Sequence, residues 1–116
     1  MAFAFERGQT CYASDEYARA RSWYVLAAEL GHAEAKLLLG YMHYAGLGGP
    51  MDRAAAARWY SDAATHGVVE AYVLLGMMHE HGSGVPVDRR AACRVYLRAA
   101  LQGHSGAASR LASLES

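Results

Sequence analysis

The chain has 116 residues, 53% of them hydrophobic, and its eleven basic and eleven acidic side chains give a formal net charge of zero. That length suits one domain with a sizeable core, and the charge balance argues against duplex nucleic acid or an anionic membrane as partner, since both ask for a basic excess. No apolar run reaches the roughly 18 residues of a membrane span, and the opening MAFAFERGQTCYASDE lacks the basic-then-apolar order of a secretory signal.

In chain order, GQTCYASDEYARARSWYVLAAELG reads as two helices joined by a short turn at Asp15 and Glu16. From about Ala33 to Ala45, the residues Ala35, Leu38, Leu39 and Met42 recur at helical spacing. The string AGLGGPMD ends that helix, because glycines free to adopt positive φ and a following proline turn the chain. Asp52 is then a candidate N-cap for RAAAARWYSDAATHG, which carries Ala56, Trp59, Tyr60, Ala63 and Ala64 on one side and closes at Gly67. VVEAYVLLGMMHEH, GSGVPVD and RRAACRVYLRAALQG repeat the order helix, turn, helix. HSGAASRLASLES reads as the first helix of a further unit, with a polar tail that suits a solvent-facing cap.

One interval organises these elements. Gly31, Gly67 and Gly103 stand 36 residues apart, as do Tyr24, Tyr60 and Tyr96, and the pairs Ala27-Ala28, Ala63-Ala64 and Ala99-Ala100. A period of this size marks stacked helical units that bury their apolar faces against one another. The expected fold is all-α, a solenoid of about three helical hairpins plus a C-terminal capping helix. Its units run over approximately 1–32, 33–68 and 69–104, with the cap at about 105–116. Gly40 and Gly76 fall mid-helix, where glycine costs about 1 kcal/mol relative to alanine. A neighbouring helix is therefore expected to lie too close for a Cβ, with Trp23, Trp59 and the repeating tyrosines filling the gaps between units.

Chemistry-bearing groups are sparse. Cys11, His43 and His79 are of metal-ligating type, but His43 and His79 are one unit apart, near 10 Å by helix spacing, against metal–nitrogen bonds of about 2 Å. His79 and His81 are two residues apart on one helix and point to different faces. No metal and no cofactor is expected. Cys11 and Cys93 are about two units apart, too far for a disulfide, so a reducing cytoplasm is the simplest compartment. Arg90, Arg94 and Arg98, with Arg89 beside them, form a basic stripe best read as a solvated face. No grouping of nucleophile and base is suggested.

The strings GHAEAKLLLG, LGYMHYAGLGGPMD, RWYSDAATHG and LGMMHEHGSGVPVD resemble the Sel-one-like repeat family, relatives of the tetratricopeptide repeats. The likeness covers residues 31–104 almost fully and 8–30 with a shortened turn. It departs at His43 and His79, where the family prefers tyrosine, with Cys11 at the equivalent place in the first unit. It departs again at Gly49, where the family has valine, as at Val85.

The resemblance implies a right-handed α-superhelix whose first helices line a concave face. It also implies a non-catalytic adaptor or scaffold of bacterial type that binds a protein or peptide. On this chain the concave positions would be Phe5, Gln9 and Tyr12; Glu34, Leu37, Tyr41 and Tyr44; and Glu70, Val73, Met77, Glu80 and His81. Aromatic and methionine side chains among carboxylates suit an interface. The alternatives are an inhibitor or immunity-type protein that occludes a toxin and, at lesser weight, a small hydrolase or β-lactam-binding protein. The β-lactam-binding members carry a disulfide in each repeat, which this chain lacks. Open solenoid ends would also allow a homodimer.

Overall fold

A computed structural model describes residues 2–115. These form seven helices: α1 (Ala2–Ala13), α2 (Tyr17–Glu29), α3 (Ala33–Ala45), α4 (Arg53–Thr65), α5 (Val69–His81), α6 (Arg89–Leu101) and α7 (Ser105–Glu115). The extensive helix–helix contacts all join chain neighbours, and the body is drawn out to 44 × 27 × 21 Å. Three hairpins stacked in sequence, closed by α7, make the expected solenoid.

Local chemistry sets the helix boundaries. The Asp52 and Asp88 carboxylates accept from the Ala55 and Ala91 amides, both at 3.0 Å, and so cap α4 and α6. Two caps were not legible in the sequence, since histidine is not among the favoured capping residues. The Ala35 amide donates to His32 Nδ1 at 3.3 Å, and the Ala107 amide donates to His104 Nδ1 at 3.0 Å. The first hairpin turns in three residues where the other two use seven. Asp15 makes this possible by taking φ +61, with the Glu16 amide donating to the Cys11 carbonyl at 2.9 Å.

The core is built from small residues on the second helices and larger ones on the first. Ala20, Ala27, Ala56, Ala63, Ala92 and Ala99 are fully buried, packed with Leu39, Met42, Leu75 and Met78. Each mid-helix glycine of the first helices is a notch for a tyrosine ring. A Cβ on Gly8 would stand 2.6 Å from Tyr24 Cε1, one on Gly40 would stand 2.5 Å from Tyr60 Cε1, and one on Gly76 would run into the Tyr96 ring. The tyrosines were expected between units. Each also fills the notch within its own hairpin, and that contact explains why glycine recurs in mid-helix.

The glycine loops form the joints between units. Gly48 (φ +77) lies on the start of α2, where a Cβ would sit 2.5 Å from the Tyr17 carbonyl oxygen. Gly84 (φ +81) lies on the start of α4, where a Cβ would sit 2.6 Å from the Arg53 carbonyl carbon. The departure at Gly49 has its reason here as well. The Arg21 guanidinium reaches across the joint and donates to the Leu47 carbonyl at 2.7 Å and the Met42 carbonyl at 3.3 Å. A side chain at Gly49 would collide with it, its Cβ 2.5 Å from Arg21 Nη1. One unit later the position of Arg21 is taken by Ala57, and Val85 is accommodated.

Candidate functional site

The stacking leaves a cavity of about 190 Å³ between the first helices of the second and third units. Tyr41 and Tyr44 of α3 form one wall; Leu74, Met77, Met78 and His81 of α5 form the other; Tyr60 of α4 lies beneath them. Tyr41 keeps 47% of its surface exposed, whereas Tyr60 keeps 2%. Tyr44 is held in place from two sides. Its hydroxyl shares a hydrogen bond with Ser83 Oγ at 2.8 Å, and the Arg53 guanidinium stacks 4.4 Å from its ring centroid. Burial, with Tyr44 and Tyr41 close by, raises the Tyr60 phenol above its ordinary value, so it stays a neutral donor at physiological pH.

Four of the expected concave residues, Tyr41, Tyr44, Met77 and His81, meet at this cavity. The others are placed elsewhere. Phe5 stacks on the His32 imidazole with centroids 4.1 Å apart, and Tyr12 packs edge-on to Tyr17 at 5.2 Å. Gln9 is exposed and accepts the Tyr24 hydroxyl. Glu34 is exposed, and Leu37 packs against the core cluster shared by α4 and α5. Glu70 bonds His104 Nε2 at 3.0 Å. Because His104 Nδ1 accepts the Ala107 amide, Nε2 carries the proton that Glu70 receives. Glu80 accepts the Tyr96 hydroxyl at 2.8 Å. The expectation for Val73 is corrected: it is 5% exposed and belongs to the core cluster with Ala92, Tyr96, Ala99 and Ala107. Leu74, the next residue, faces the cavity instead.

Among the described residues no three of His, Cys, Asp or Glu are grouped to hold a metal ion. Cys11 and Cys93 are free thiols. Arg89, Arg90, Cys93 and Arg94 line a shallow hollow on α6, while Arg98 lies exposed on the same helix. Among the described residues no helix is long and apolar enough to cross a membrane.

His43 and His79 present their Nδ1 atoms to the interior without a hydrogen-bond partner. Burial disfavours the His43 imidazolium, and the nearby Arg21 and Arg58 add to this against the opposing pull of Asp52, so its pKa lies below the ordinary value. The sign follows by linkage. Well above pH ~6.5, from about pH 7.5 upward, His43 is neutral folded or unfolded, and its contribution to stability is fully present. As the pH falls below that, the unfolded chain takes the proton first, and stability is lost down through the lowered folded value. The melting temperature is therefore expected to fall as the pH is lowered from about 7.5 through the ordinary imidazole range at about 6.5, and His43→Phe is expected to shrink that fall. An equal fall in both proteins, read by circular dichroism, would refute this.

Comparison with known proteins places this geometry among repeat proteins. The model of the Sel1 repeat matches residues 1–32, 33–68 and 69–104. A crystal structure of a protective antigen present in uropathogenic Escherichia coli strains, displaying an SLR fold, superposes with a TM-score of 0.87 at 34% identity over 93% of this chain. A Sel1 repeat protein from Oxalobacter formigenes gives 0.87 at 28% identity over 95% of this chain. Cysteine rich protein B of Helicobacter pylori shares the fold, with a TM-score of 0.76 at 24% identity, over 80% of this chain and 70% of that one. The chain spans 24% of the length of the first and 45% of the second. No curated protein matches it significantly.

Proposed function

We propose that this chain, which belongs to the Sel1 repeat family, holds a protein or peptide partner along the wall made by α3 and α5. Sel1 repeats are generally protein-interaction modules, and the reading gives this one no chemistry of its own. The observation that supports it is the apolar cavity opening between two first helices, with Tyr41 half out in solvent at its rim. Tyrosine and methionine at the mouth of a preformed pocket supply contact area with little ordering cost, the composition of an interface anchor.

A random-peptide display selection on the immobilised protein tests this. The selected peptides are expected to lose about 30-fold in affinity, on the order of 2 kcal/mol, for the double variant Tyr41→Ala/Met77→Glu. Tyr41 is half exposed, but Met77 also packs against the core cluster that holds Val73 and Tyr96, so the double variant is expected to melt a few degrees lower, and its binding is compared at a temperature where circular dichroism shows it folded. Peptides that bind wild type and double variant equally would remove the α3–α5 wall from consideration.

A further inference from the structure

Three equivalent tyrosines point from the second helices toward the first, and only two find an acceptor. The Tyr24 hydroxyl donates to Gln9 and the Tyr96 hydroxyl donates to Glu80, the latter at 2.8 Å. In the middle unit the positions equivalent to Gln9 and Glu80 are Tyr41 and Tyr44. The Tyr44 hydroxyl is engaged by Ser83. No hydrogen bond is made by Tyr60, which is 2% exposed and lines the cavity. Its hydroxyl is not among the sealed, unpartnered polar atoms of the interior, so it is open to whatever fills the cavity, and an occupant that displaces water there must replace the bond that water makes. The middle hairpin thus carries a donor open to the cavity at just the level where its neighbours carry an acceptor.

We infer, resting on the interaction reading above, that the cavity is a socket for the phenol ring of a partner tyrosine, whose oxygen accepts the hydrogen bond that Tyr60 has to give. Size is the first argument. An apolar cavity of about 150 Å³ takes up benzene, so 190 Å³ suits a six-membered ring with one polar substituent. Wall chemistry is the second. Met77, Met78 and the rings of Tyr41 and Tyr44 are good neighbours for an aromatic face, since thioether sulfur and π-systems attract. Electrostatic complementarity is the third. The lining holds no Asp, Glu, Lys or Arg, and the neutral Tyr60 donor in it matches the partial negative charge of a neutral oxygen, whereas a carboxylate would lose its hydration with no full charge to replace it.

The test uses the whole chain and two probes, p-cresol (the tyrosine side chain) and toluene, which lacks the oxygen. Binding is followed by the methyl NMR signals of Met77 and Met78. Wild type is expected to prefer p-cresol about tenfold. Tyr60→Phe keeps the ring that fills the Gly40 notch and is expected to bind both probes alike. Equal affinity of wild type for the two probes, a preference that survives in Tyr60→Phe, or no shift at either methionine would overturn the inference.

Peptides from the display selection separate this inference from the broader reading. A required tyrosine whose Tyr→Phe replacement weakens binding to wild type but not to Tyr60→Phe supports both. Peptides that depend on Tyr41 and Met77 without any tyrosine overturn the socket and leave the interaction wall standing. If p-cresol binds at the methionines but no peptide depends on the wall, a partner side chain is ruled out, and the cavity takes free phenols only.

Discussion

Gly84→Ala is expected to lower the melting temperature by about 8–16 °C, far more than a surface alanine normally would. Two costs combine. A non-glycine residue in the left-handed region costs about 1–2 kcal/mol, and Gly84 has φ +81. The new Cβ would also press on the Arg53 backbone at 2.6 Å, and overpacking of this kind costs about 1–3 kcal/mol. Reduced freedom of the unfolded chain returns about 0.4–1 kcal/mol, leaving roughly 2–4 kcal/mol. At about 4 °C per kcal/mol for a domain of this size, that gives the range stated. Gly103→Ala is the control, since Gly103 has φ +93 but nothing within 4 Å of its Cβ position. It should show the backbone cost alone. Equal losses in the two variants would mean that the joint between units yields to the added methyl.

Tyr96→Ala should cost more still, about 3–5 kcal/mol, the usual loss for emptying a large aromatic site in a core. Tyr96 is fully buried, and burial with the Glu80 hydrogen bond pushes its phenol up to about 12. The informative experiment pairs it with Gly76. In wild type, Gly76→Ala should be destabilising by up to about 2 kcal/mol, because a collision at the severe end of about 1–3 kcal/mol outweighs a helix-propensity gain of about 1 kcal/mol. In the Tyr96→Ala background the collision partner is gone, and the same substitution should become stabilising by about 1 kcal/mol. A reversal of sign across the cycle, measured by urea denaturation, identifies the notch as the reason for a mid-helix glycine. No reversal would leave Gly76 unexplained.

The helices, the glycine loops and the aspartate caps could be read in advance, because each rests on local spacing repeated at a fixed interval. The binding wall was only partly legible. The first helices are apolar on nearly every side, as in VVEAYVLLGMM, so periodicity alone does not say which of two adjacent residues faces outward. Val73 was placed on the surface and is buried, while Leu74 takes the position beside the cavity. Tyr60 could not be recognised as part of a site. Its role depends on which residues oppose it on α3, and the period makes it look identical to Tyr24 and Tyr96. The histidine caps are hidden for a related reason, since each capping imidazole also engages a residue far off in the chain, Phe5 stacked on His32 and Glu70 bonded to His104.

The exchange at the joints has a bearing on how such a protein can be lengthened or rearranged. Arg21 answers Gly49, and Ala57 answers Val85, so each connector is written partly in the segment before it. Duplicating residues 33–68 in tandem would set a second Gly49-type loop against Ala57, an empty berth with no guanidinium to fill it. Placing a Val85-type loop after Arg21 would push the guanidinium aside and cost the carbonyl contacts it makes at the seam. The modules therefore carry an address as well as a shape, and grafting one between arrays succeeds only when half of its predecessor travels with it.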